Sequence, residues 1–126
     1  MHSATSYDAF VQQRLAARGL TLPAPPKPLG RYTAVSQAGD LLFISGQLPL
    51  ADGKIVWQGQ IGTELSPEEG RRAAEMAALN VLSQIHAYLG GFERLDHLVR
   101  LEGQVAMPGR SHRLLDWRPT RRLFWW

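Results

Sequence analysis

Asp40-Leu41-Leu42-Phe43-Ile44-Ser45-Gly46-Gln47-Leu48-Pro49-Leu50 is the stretch from which the rest of the chain can be read. Four apolar residues in a row, Leu41 to Ile44, have the composition of a strand buried on both faces. An uncharged Ser-Gly-Gln follows, and Pro49 with the Asp52-Gly53 pair then stops the strand and turns the chain. Asp-Gly between apolar runs signals a two-residue hairpin, because both central positions need positive φ. Ser45 and Gly46 are therefore expected near the end of an interior strand, where a hydroxyl and a bare backbone can meet a ligand. The competing reading makes Gly46 a bulge and has Ser45 bond its own backbone.

Upstream, Thr5 or Ser6 can cap a helix over residues 6–18, with Asp8 in its first turn, Tyr7, Val11 and Leu15 on one face, and Gly19 to end it. Four prolines between Pro23 and Pro28 exclude helix and inner strand and predict an extended, polyproline-type spacer. Gly30 to Val35 starts a first strand, which Ala38-Gly39-Asp40 turns into the central one. Lys54 to Ile61 then pairs back across the Asp52-Gly53 hairpin, giving a three-stranded meander.

Downstream, Ser66-Pro67-Glu68-Glu69 combines an N-cap serine, a proline at N1 and a glutamate at N3 that closes a capping box. Ala74, Ala78, Val81, Ile85 and Leu89 form an apolar stripe, and Gly90-Gly91 ends the helix. His86 lies on the flank of that stripe with no histidine or acid at i±4, so it reads as a solvated or satisfied histidine and not as a metal ligand. Over Leu95 to Ala106, Val99, Leu101 and Val105 alternate with Arg100, Glu102 and Gln104, the pattern of a further strand with one wet or ligand-facing side. The order β-β-β-α-β predicts an α+β layer, a helix packed on one face of a sheet.

The 126 residues suffice for one domain, and a 44% apolar content is that of a globular protein. No run approaches the roughly eighteen apolar residues of a membrane span. Met1 to Thr5 lacks the basic and apolar segments of a secretory signal. The absence of cysteine removes disulfides, thiolate nucleophiles and thiolate metal sites. A soluble, cytoplasmic protein without membrane, metal or other cofactor is the expectation. The basic balance is local: residues 107–126 hold five arginines against Asp116, whereas the other 106 residues hold nine basic and ten acidic groups. A nucleic-acid surface on the domain itself is not implied.

Gly30-Arg31-Tyr32, the Leu42-Phe43-Ile44-Ser45-Gly46-Gln47-Leu48-Pro49 run, the alanine-rich helix and Leu98-Val99-Arg100-Leu101-Glu102-Gly103-Gln104-Val105 together resemble the RidA/YjgF family, formerly called L-PSP endoribonucleases. The opening helix and proline-rich connector (residues 1–29) resemble a longer bacterial branch, and residues 30–106 resemble the family domain. The resemblance implies a chorismate-mutase-like α+β subunit, a homotrimer, and ligand sites in clefts between subunits. It also implies a reaction, the hydrolysis of enamines and imines to a keto acid and ammonia, and hence imino and keto acids as small-molecule partners. Carried over residue by residue, Tyr32 would line the cleft, while Ser45 and Gly46 would bind or orient ligand and water; Ser45 and Tyr32 are the candidate catalytic residues.

Arg31 stands where the family usually has proline. Active members hold the substrate carboxylate with an arginine, and use a late glutamate, both beyond the point where this pattern stops at about Ala106. Residues 107–126, with three of the four tryptophans, stand where the second helix and closing strands are expected; a frameshift or mis-called gene end is the expectation, and a genuine truncated form with a functional tail is the rival reading. Three functions follow in order: a relative of the imine deaminases, impaired in this chain; a non-catalytic binding or regulatory module; and RNA binding through the tail, whose arginines and tryptophans can neutralise phosphates and stack bases.

Overall fold

The computed structural model describes residues 6–108, so the basic tail lies outside the described residues, as does the RNA-binding reading that rests on it. Helix α1 spans Tyr7–Ala16. Ser6 caps it by accepting from the Ala9 N–H at 3.1 Å. The Glu93 carboxylate covers two more free donors of its first turn, Tyr7 N–H at 3.2 Å and Asp8 N–H at 2.9 Å. Gly19, at φ +71°, carries the chain out of the helix.

Strands β1 (Val35–Ala38) and β2 (Leu41–Ile44) form an antiparallel ribbon, turned at Gly39-Asp40, with Val35 opposite Ile44. Strands β3 (Leu50–Ala51) and β4 (Lys54–Ile55) form a second ribbon. Asp52 at φ 52° and Gly53 at φ 76° make its turn, as the Asp-Gly pair predicts. Helix α2 runs from Pro67 to Leu89 and packs across β1, β2 and β3. Its capping box is closed in both directions, Glu69 N–H to Ser66 Oγ and Ser66 N–H to Glu69 Oε1, each at 3.1 Å, and Gly90 ends it at φ 72°. On its exposed first turns the Arg71 guanidinium holds the Glu68 carboxyl below the usual carboxylate range. The small stabilisation from that pair is present at neutral pH and is lost as pH falls through the lowered value.

The α+β class is as expected; the strands are shorter and less joined than the pattern suggests. The first strand begins at Val35 and not at Gly30, because the Tyr32 ring folds back beside Gly30 and its hydroxyl accepts from Leu29 N–H at 3.1 Å, closing a turn. The ribbons are separate pairs and not one meander. Pro49 stands between them: its carbonyl accepts from Val56 N–H at 3.0 Å, but it has no N–H to return, so the second ladder stops. The β2 strand is not buried on both faces; Leu42 and Ile44 turn inward, while Leu41 and Phe43 are exposed. A run of four apolar residues states that a strand is apolar, and the number of layers covering it is decided elsewhere.

Leu95 to Ala106 does not form the expected strand. Ile61 N–H reaches Ala106 O at 2.9 Å, but Leu98 and Val99 lie exposed. Alternation assigns faces to a segment and does not supply the sheet edge on which it must pair.

Among the described residues the buried apolar side chains are Leu50, Ile85 and Phe92. Beside Ile85, the face that α2 buries most deeply carries polar side chains. Asn80, Ser83 and Gln84 are all buried, whereas Ala74, Ala78, Val81 and Leu89 of the expected stripe are only half-buried. The reason is the short sheets: Leu48 and Leu50 keep carbonyls that no strand partners, and Asn80 Nδ2 donates to both, at 2.9 and 3.1 Å.

Candidate ligand cleft

A helix-borne amide, Gln84, and a loop amide, Gln47, shape the region in which the candidate residues lie. Gln84 Nε2 donates to Pro26 O at 2.7 Å, which ties the proline-rich connector to α2. It also lies 3.4 Å from Gln47 Oε1, and Gln47 Nε2 donates back to Ser45 O at 3.0 Å. The connector and the Ser45-Gly46-Gln47 segment are thus held on either side of one buried glutamine. Between them is a shallow cleft, open to solvent, whose enclosed space is about 20 Å³, room for about one water. Pro26, Lys27, Tyr32, Gly46, Gln47 and Gln84 are among its lining residues.

Tyr32 and Gly46 therefore meet at one cleft. Gly46 has no positive φ and nothing within 4 Å of where a Cβ would stand, so neither turn geometry nor crowding requires glycine there. Ser45 is adjacent but does not line the cleft. Its N–H bonds Ala34 O at 2.9 Å and its hydroxyl donates to Thr33 O at 2.5 Å. The hydroxyl thus fastens the approach to β1 onto the end of β2, near the backbone role that its competing reading assigned to it.

Reading the sequence by motif missed Lys27, Gln47 and Gln84. Lys27 and Pro26 lie in a segment whose prolines predict only a spacer, and Gln84 lies beside an apolar stripe to which Ile85 belongs. The one available signal was a pair of amide side chains, Asn80 and Gln84, one helical turn apart on the buried side of α2.

His86 has a partner from the far end of the chain. Its Nε2 lies 3.0 Å from Asp8 Oδ1, which also accepts from Phe92 N–H at 3.1 Å, and the Phe92 ring meets the imidazole edge-on at 5.0 Å. This is the satisfied histidine of the sequence reading, and it joins α1 to the end of α2. Among the described residues no group of three or more histidine, aspartate or glutamate side chains could hold a metal ion, and no helix is long and apolar enough to cross a membrane.

A capped long helix, two short ribbons and a tethered connector around a shallow cleft make this an α+β subunit. Residues 12–112 match the family described as "YjgF/chorismate mutase-like, putative endoribonuclease", and the chain belongs to that family. Protein TCP17 of Trypanosoma cruzi is 38% identical over 91 residues, which are 72% of this chain and 57% of TCP17. Protein Atu1372 of Agrobacterium tumefaciens, of unknown function, superposes with a TM-score of 0.72 at 34% identity over 80% of this chain and 62% of its own. A "putative endoribonuclease" of Shewanella oneidensis MR-1 superposes with a TM-score of 0.75 at 35% identity, over 82% of this chain and 68% of its own. The chain thus spans a little over half the length of the curated relative it matches.

Proposed function

We propose that the cleft beside Tyr32 and Gly46 takes a short imino or keto acid, and that this chain is a relative of the enamine and imine deaminases that binds such acids without turning them over. The observation that carries the reading is the meeting of Tyr32, Gly46 and Gln47 at one open cleft. The reaction of the deaminases is water addition to a C=N carbon, followed by loss of ammonia and formation of the keto acid. It needs a placed water, a held carboxylate and hydrogen-bond donors for the developing charge. The cleft supplies amide and phenol groups of that kind.

What favours binding over turnover is equally specific. Among the described residues neither arginine nor a carboxylate lines the cleft, and the Ser45 hydroxyl is engaged by Thr33 O. Endoribonuclease activity, the description of the family and of the Shewanella relative, is favoured less: no histidine, aspartate or glutamate among the described residues lines the cleft to serve as acid or base.

The purified 126-residue protein is to be supplied with 2-aminoacrylate generated in place, with keto acid and ammonia followed against buffer, and with keto acids in a thermal-shift series. A keto-acid-dependent shift without turnover is expected. Turnover well above buffer makes the protein a deaminase in its own right. The absence of both removes the cleft assignment.

A further inference from the structure

The proline-rich connector is part of the cleft and not only a spacer. Pro26, Lys27, Pro28 and Leu29 all line it. Among the described lining residues Lys27 is the one ionised side chain; the others are apolar or carry neutral amide and phenol groups. Lys27 is exposed and makes no ion pair among the described residues, so its charge is not spent inside the protein. Its backbone is held on both sides. Pro25, Pro26 and Pro28 restrict φ around it, and the carbonyl before it, Pro26 O, is anchored at 2.7 Å by the buried Gln84 amide. A cation on a pre-set backbone at the mouth of an otherwise neutral cleft is a recognition element for an anion.

We propose that Lys27 is the cation that binds the ligand's carboxylate, with the proline-flanked connector as its rigid mount and Gln84 as the positioning residue that fixes that mount. The inference deepens the imino/keto-acid reading and rests on it: it assigns the charge of the ligand to one named side chain, on a segment that precedes the first strand. A compact ammonium pairs with a carboxylate as a point charge, without the bidentate geometry of a guanidinium. The cleft should therefore select for a negative charge more strictly than for the shape of the group that bears it.

The test is equilibrium dialysis of radiolabelled pyruvate against the full 126-residue chain, with neutral pyruvamide as competitor, on the wild type and on Lys27→Met, Lys27→Arg and Arg31→Met. Melting curves of each variant monitor folding. The expected result is that the wild type holds pyruvate, pyruvamide competes weakly, and Lys27→Met weakens binding by about tenfold at an unchanged melting temperature, the size of one charge-assisted bond. Lys27→Arg should restore most of the loss, and Arg31→Met, which alters a neighbouring cation outside the lining, should bind as wild type. Added salt should weaken wild-type binding and leave the residual binding of Lys27→Met nearly unchanged. Pyruvate binding by Lys27→Met at the wild-type level overturns the inference and leaves the cleft reading in place. Loss in Arg31→Met instead of Lys27→Met moves the role to Arg31 and also overturns it. No pyruvate binding by the wild type removes the cleft reading itself, and the role of Lys27 with it.

Discussion

Gly70 is buried in the first turns of α2 against the side chain of Ile61. A Cβ there would overlap Ile61 Cδ1 and lie 2.9 Å from its Cγ1. Alanine gains about 1 kcal/mol of helix propensity over glycine, but overpacking costs about 1–3 kcal/mol, so Gly70→Ala should lower stability by about 1 kcal/mol. Ile61→Val removes the Cδ1 atom, and the double variant should lose less than the sum of the two single losses. Urea unfolding of the four proteins checks this, and strict additivity would show that the two side chains do not press on each other. Asn80 makes the same kind of argument for hydrogen bonding. Asn80→Ala leaves the buried Leu50 carbonyl without its donor and the Leu48 carbonyl with Leu50 N–H alone, at 2.8 Å, while removing the unpartnered Asn80 Oδ1, and should cost about 1 kcal/mol. An unchanged urea midpoint would mean that water takes over both bonds. Neither consequence is visible in the chain's one-dimensional pattern. Gly70 follows Glu69 as any helical glycine might, and Asn80 interrupts an apolar stripe without announcing what it satisfies.

At the scale of elements, local signals were legible and pairings were not. The start of α2 could be read to the residue from Ser66-Pro67-Glu68-Glu69, because a capping box is a contact between neighbours in sequence. The Asp52-Gly53 turn could be read for the same reason, since two positive φ angles are a local demand. By contrast, the docking of α1 depends on Asp8, His86, Phe92 and Glu93, which are separated by most of the chain. Asp8→Ala removes the acceptor for Phe92 N–H and the partner of His86 together. α1 buries none of its residues, so these polar contacts and the Glu93 cap are what hold it. Amide exchange over α1 should accelerate by about tenfold in Asp8→Ala while α2 keeps its protection. Acceleration spread evenly over both helices would show that α1 is not a separately opening unit.

For the whole molecule, the balance between buried and exposed apolar side chains sets the expectation. Leu50, Ile85 and Phe92 are the buried apolar side chains among the described residues, whereas Leu41, Phe43, Leu98 and Val99 are 47%, 57%, 53% and 71% exposed. Among the described residues each of the two sheets has two strands, and its outer edges carry N–H and C=O groups that no described strand pairs. Exposed apolar faces beside open edges favour association without a defined stoichiometry. The 126-residue chain is expected to sediment as a polydisperse mixture. A single sharp species of three subunits with a cooperative melt in analytical ultracentrifugation and calorimetry would overturn this and show that the chain completes its own interfaces.

The α+β class, both helices, the Asp-Gly turn and the family to which the chain belongs are legible in the residues alone, because each rests on near neighbours or on residue identity at fixed positions. The sequence also brings forward Tyr32 and Gly46, which the structure places at one cleft, and Ser45, whose hydroxyl the structure gives to Thr33 O instead. Long-range packing is what makes the strands two ribbons, leaves Leu95 to Ala106 without a sheet, and has α2 bury amides in place of alanines. It alone brought Lys27 of the connector to the cleft. The physical reason is common to all of these. A strand's partner, an unpaired carbonyl's donor and a cleft's far wall are fixed by which distant segments meet, and the periodicity of a segment says which of its faces is apolar without saying what that face will find.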